Sequence, residues 1–145
     1  MEAMRIRPFT MADFDRVWQL WHICRLPVGS RERREEIERK LERDPDLFLV
    51  AEMNQAIMGT VMGAWDGRNG WVYNHAVDPR LRRMGVGSRL IKELEGRLRE
   101  KGAREINLVV GRSNFDAQIV YQETGFHVRE EEIIMTKVLG DAKDR

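Results

Sequence analysis

The stretch Val77-Asp78-Pro79-Arg80-Leu81-Arg82-Arg83-Met84-Gly85-Val86-Gly87-Ser88 joins an apolar, strand-like run to a run of helical period. Upstream, residues 71–77 read as a strand. Downstream, Leu90, Ile91, Leu94 and Leu98 form one stripe of a helix over 86–101, with Gly102 as its stop. A helix N-terminus carries unpaired N–H groups and partial positive charge. Gly85 and Gly87 remove side chains that would hold an anion off the backbone. A phosphate is therefore expected on the amides of Arg83, Met84, Gly85, Val86, Gly87 and Ser88. Arg80, Arg82 and Arg83 add charge and bidentate donors. The segment is not a P-loop, because no G-x-x-x-x-G-K-[ST] occurs, and it lacks the third glycine of a dinucleotide fingerprint.

Working outward, 4–9 alternates as a first strand. Thr10 reads as the N-cap of a helix over 11–24, with Asp13 in its first turn. Pro27-Val28-Gly29 breaks it, and Ser30 opens a second, highly charged helix to Arg43. Strands are expected at 47–52, 56–65, 71–77, 106–110, 126–128 and 133–139, with a shorter helix from Ser113-Asn114 to Thr124. The order β-α-α-β-β-β-α-β-α-β-β describes one α/β domain on a mixed sheet, spanning 1–145 with its core in 4–139.

Composition narrows the class. With 145 residues and 42% hydrophobic content, the chain can bury one real core. A net charge of +1 gives no global pull toward nucleic acid or membrane, and neither is expected as a partner. No apolar run approaches a membrane span, no signal-peptide order opens the chain, and Cys24 stands alone, so a cytoplasmic location is expected. His22, His75 and His127 are scattered without metal-site spacing, and no metal is expected.

Three ordered segments carry a family resemblance. Arg82-x-x-Gly85-x-Gly87 after Val77-Asp78-Pro79 resembles motif A of the GNAT superfamily of N-acetyltransferases, [QR]-x-x-G-x-[GA]. Asn114-x-x-Ala117-x-x-x-Tyr121-x-x-x-Gly125-Phe126 is similar to the family's second segment, and Met135-x-Lys137-x-Leu139 to its last strand. The resemblance implies the GNAT fold: a mixed, mostly antiparallel sheet with two splayed parallel strands and about four flanking helices. It implies acetyl-CoA as cosubstrate, its pantetheine arm on the backbone at about Ala76 and Val77, its pyrophosphate on Arg82 to Ser88, and Asn114 and Tyr121 as further contacts. Tyr121 matches the usual general acid. The reaction implied is direct attack of a primary amine, on a small molecule or a peptide N-terminus, on the thioester.

The base is less defined. Trp71 and Val109 occupy positions where some members carry glutamate. Strand alternation sets Trp71, Tyr73 and His75 on one face, which makes His75 the candidate base. Tyr73 and Asn107 are alternatives for ordering a water, and Asp78 reads as a turn residue. Trp18, Trp21 and the 24–30 loop are acceptor-pocket candidates by resemblance, although both tryptophans also suit core packing. Asn114 also reads simply as an N-cap. Homodimers are common for the fold. The alternative function is a GNAT-fold module that binds acyl-CoA without transferring it.

Overall fold

The structure, a computed structural model, describes residues 3–140. They form two compact units divided between Leu108 and Val109. The ends of the expected 1–145 domain lie outside the described residues.

The first unit holds a five-stranded sheet in the order β1-β2-β3-β4-β5. Its strands are β1 (Arg5–Pro8), β2 (Phe48–Met53), β3 (Ala56–Trp65), β4 (Gly70–Val77) and β5 (Ile106–Asn107). The first four pair antiparallel, and β4 pairs parallel to β5. Helices α1 (Phe14–Ile23), α2 (Arg34–Arg43) and α3 (Val86–Lys101) complete the unit. The expected 11–24 and 30–43 helices each begin with a separate 3-10 turn, Met11–Asp13 and Ser30–Glu32. At the second, Gly29 is the N-cap and Ser30 the first residue of the turn, while the extended Arg33 (ψ 156°) is the N-cap of α2, so Ser30 does not open α2 itself.

Both sheet faces are covered. On one, Val17, Leu20 and Trp21 of α1 and Ile37 of α2 pack with Phe48, Val50, Met62 and Ala76. On the other lies the Leu90–Leu94–Leu98 stripe of α3, each residue at most 1% exposed. Full burial of such a side chain contributes roughly 1.5–3 kcal/mol. The contact is close: a Cβ on Gly63 would lie 2.3 Å from Leu94 Cδ1. Any larger residue there would force the Leu94 side chain to shift.

The second unit contains α4 (Phe115–Glu123) and no strand among the described residues. The strands expected at 126–128 and 133–139 are therefore corrected. Alternating apolar residues form a strand only where a neighbouring strand takes their backbone groups, and within this unit none does. Ile133 is 76% and Leu139 91% exposed. The expected 106–110 strand is likewise reduced to two residues. Its ladder on β4 runs only from Gly70↔Ile106 to Trp71↔Asn107.

Candidate active site

The site is built on β4 and the turn that follows it. Between Thr60 and Met62 of β3 the chain advances two residues, while β4 advances three, from Ala76 to Tyr73. The additional residue is a bulge on β4, where Asn74 takes a left-handed conformation with φ 46°. Asparagine tolerates that region better than most residues. The buried Thr60 hydroxyl holds the bulge: it donates to Asn74 O (2.9 Å) and accepts from Trp21 Nε1 (3.1 Å).

The bulge changes which side chains share a face. Strict alternation would set Tyr73 and His75 together; one extra residue separates them. Tyr73 stays with its register partner Met62, on the α1–α2 side. His75 turns beneath α3, where Nε2 lies 3.1 Å from Gly87 O. A carbonyl can only accept, so Nε2 carries the proton. Burial pushes the His75 pKa down to about 4. That weighs against the expected role of His75 as general base. The Gly87 carbonyl fixes the proton on Nε2 and leaves the acceptor role to Nδ1, whose basicity is low because the ring is buried. The geometry makes it a strut between β4 and the first turn of α3.

At the end of β4, Asp78 N–H bonds to Met58 O (2.8 Å). By antiparallel alternation Ala76 then spends its backbone groups on Thr60, while Val77 directs its own away from β3, toward the edge β5 has already left. Val77 O accepts from Cys24 Sγ at 3.2 Å. Of the two residues expected to bind a pantetheine arm, Val77 has its N–H toward the open edge and Ala76 does not. Cys24, whose thiol is pushed up by burial, also lies against Arg82.

The turn into α3 is ordered by Asp78. Its carboxylate accepts from Arg80 N (2.9 Å) and holds the Arg80 guanidinium through both oxygens. That pairing, with Arg16 nearby, holds its pKa at about 2 and neutralises Arg80. Arg82 and Arg83 have no acidic partner among the described residues. Arg83 (φ 69°) and Gly85 (φ 82°) are left-handed, and Gly85 is the N-cap of α3. The first bond inside the helix is Arg89 N–H to Gly85 O (3.0 Å). The amides of Val86, Gly87 and Ser88 thus have no partner among the described residues. Met84 N–H turns back toward Leu81 O at 3.4 Å and leaves the expected cradle. Free amides, a glycine cap and two unneutralised arginines fit a pyrophosphate.

The other expected site residues are dispersed. Trp21 is 1% exposed and belongs to the core, which corrects its place in an acceptor pocket. Trp18 is half-buried, its ring 5.8 Å from Phe14 and 4.9 Å from His22, and packs on the same core. Asn107 stands in β5 beside Trp71. Tyr73 lines a groove with α2 and Met62. In the second unit, Asn114 caps α4, its Oδ1 accepting from Ala117 N (3.2 Å). Tyr121 packs edge-on to Phe126 at 5.6 Å, and burial pushes its pKa up to about 12, so the phenol is neutral at physiological pH.

Sequence reasoning missed the bulge, the Thr60 bridge and the Cys24–Val77 bond. An asparagine inside a strand-like run was a signal for the first. Nothing local marks the other two, which join residues 14 to 53 positions apart.

The profile of the acetyltransferase (GNAT) family matches residues 14–126. The chain belongs to this family. An acetyltransferase of Sodalis glossinidius (strain morsitans) is 37% identical over 136 residues, covering 94% of this chain and 96% of the relative. Among solved structures, Ard1 from Thermoplasma volcanium superposes with a TM-score of 0.77 at 27% identity, over 87% of this chain and 84% of that one. The aminoglycoside N-acetyltransferase AAC(6')-Iy in complex with CoA gives 0.77 at 20% identity, over 94% and 96%, a likeness of fold. This GNAT chain is thus an acetyltransferase with the mixed sheet and four helices expected from its sequence. No helix among the described residues is long and apolar enough to cross a membrane.

Proposed function

We propose that this GNAT protein transfers the acetyl group of acetyl-CoA to a primary amine. The observation that carries the reading is the start of α3, where three free amides and the unpaired charges of Arg82 and Arg83 follow directly on Val77. CoA bound in the structural relative AAC(6')-Iy supports the choice of donor. We further propose that both units belong to one GNAT domain, since the matched span 14–126 crosses Leu108.

When bound, acetyl-CoA supplies an activated acyl thioester. The amides at 86–88 hold the pyrophosphate, and the α3 dipole favours its charge. Val77 N–H donates to the thioester carbonyl as negative charge develops there. Tyr121, matching the family's general acid and neutral at physiological pH, protonates the departing thiolate. Asn114 keeps its cap and presents α4. With His75 weakly basic, the amine loses its proton to water, and Tyr73, one of the polar side chains of the groove, orders it.

The weak basicity of His75 also favours a second reading, a module that binds acyl-CoA without turnover. One experiment separates them. A panel of amines is incubated with acetyl-CoA and the free thiol is followed, alongside CoA binding by calorimetry. Amine-dependent thiol release supports transfer. Tight CoA binding with no release from any amine selects the binding module.

A further inference from the structure

The polar face of α2 and the preceding turn form one wall of a groove of about 440 Å³, floored by Met62, Tyr73 and Asn74. Its charges do not cancel. The groove carries four cations, Arg31, Arg39, Lys40 and Arg43, against two acids, Glu32 and Glu36. Both acids are already engaged. Glu36 pairs with Arg39 at 3.6 Å, and Glu32 accepts from Gly29 N–H at 3.2 Å. Lys40 and Arg43 share the single buried carboxylate of Asp44, at 2.7 and 3.7 Å. Arg31 is exposed and has no acidic or hydrogen-bonding partner among the described residues.

A solvated helix face needs no groove, and here the unpaired guanidinium stands at the rim of one. Two of the floor residues, Tyr73 and Asn74, belong to β4, the strand that ends in the Val77 amide. The bulge at Asn74 is what keeps Tyr73 in this groove while His75 goes beneath α3. An amine entering here must be neutral to attack, so it contributes no charge to offset the cations. A polycationic acceptor would meet like charge, which costs affinity. An acceptor carrying a carboxylate would find a fork-shaped donor without a competing acid.

We infer that the groove between α2 and β4 selects an amine acceptor that also bears a carboxylate, with Arg31 as the anchor for that group. This rests on the proposed acetyl transfer. The carboxylate can belong to a free amino acid or to the end of a short peptide, since both offer the same chemistry.

The test uses matched acceptors: amino acids and tripeptides with a free carboxylate, the same compounds as carboxamides, and kanamycin as a polycation. Thiol release is measured with the full chain. The carboxylate forms are expected to have a KM at least about tenfold below their carboxamides, the scale of one hydrogen bond to a charged group. Arg31→Gln should remove that preference by raising KM for carboxylates alone, with the acetyl-CoA KM unchanged. Arg31→Glu should reverse it. The amino-acid and tripeptide arms identify the source. Equal use of carboxylates and carboxamides, a preference for kanamycin, or a preference untouched in Arg31→Glu overturns this inference and leaves acetyl transfer standing. Absence of thiol release with every amine overturns acetyl transfer itself, and this inference with it.

Discussion

Single side chains divide here between those that meet ligand and those that hold the frame. Tyr121 is proposed for the first group from its match to the family's general acid. Tyr121→Phe should lower kcat about 10²-fold or more while leaving the acetyl-CoA KM near its original value, read as free thiol under saturating donor. A fall confined to KM would make it a binding residue only. His75 is placed in the second group. Its folded pKa of about 4 lies below the ordinary 6.5, so between those values the unfolded chain binds a proton the folded one does not. Stability should therefore be complete above about pH 6.5 and fall as pH drops toward 4. Thermal melts of His75→Gln, which keeps a donor for Gly87 O, should lose that dependence while acetyl transfer at neutral pH persists. Thr60 is also structural: with Thr60→Val, Trp21 Nε1 loses its acceptor and Asn74 O its donor. The cost should be about 1–3 kcal/mol in urea unfolding.

At the scale of elements, the β4–α3 connection does two things through one geometry. Asp78 turns the chain, Gly85 caps the helix in a left-handed conformation, and Gly87 allows α3 to start close against β4. A Cβ at 87 would lie 3.3 Å from both His75 Nε2 and Val77 Cγ2. Gly87→Val should therefore raise the acetyl-CoA KM without altering the order in which acceptors are preferred. Steady-state kinetics with two different amines checks this, and an unchanged donor KM would remove the α3 start from the binding site. Much of this element was legible beforehand. The apolar stripe of α3 needed only its period, and Gly85-x-Gly87 needed only the rule that helix starts bind anions. The face of His75 was not legible, because alternation assumes an unbroken ladder and the bulge breaks it. What decides the bulge is a hydroxyl from β3 and an indole from α1, neither of which is near Asn74 in sequence.

For the molecule as a whole, the two units differ in how they are held. Residues 3–108 contain every fully buried side chain among the described residues, and none lies in 109–140. Local stability follows buried apolar contact. Native-state hydrogen exchange should therefore be slowest in β2, β3 and α3 and much faster across α4 and 126–139. If Asn114 and Tyr121 engage the donor as proposed, adding CoA should slow exchange in α4 as well as at the α3 start. The family and the order of elements through α4 were within reach of the sequence alone. Each rests on local periodicity, caps and short motifs, which depend on residues a few positions apart. Tertiary structure decided the rest. It buried Trp21 in the core, placed His75 beneath α3, left Arg31 unpaired at the rim of the α2–β4 groove, and gave 126–128 and 133–139 no ladder. Those outcomes depend on which distant groups find one another, a matter of packing and hydrogen-bond partners that the linear pattern does not encode.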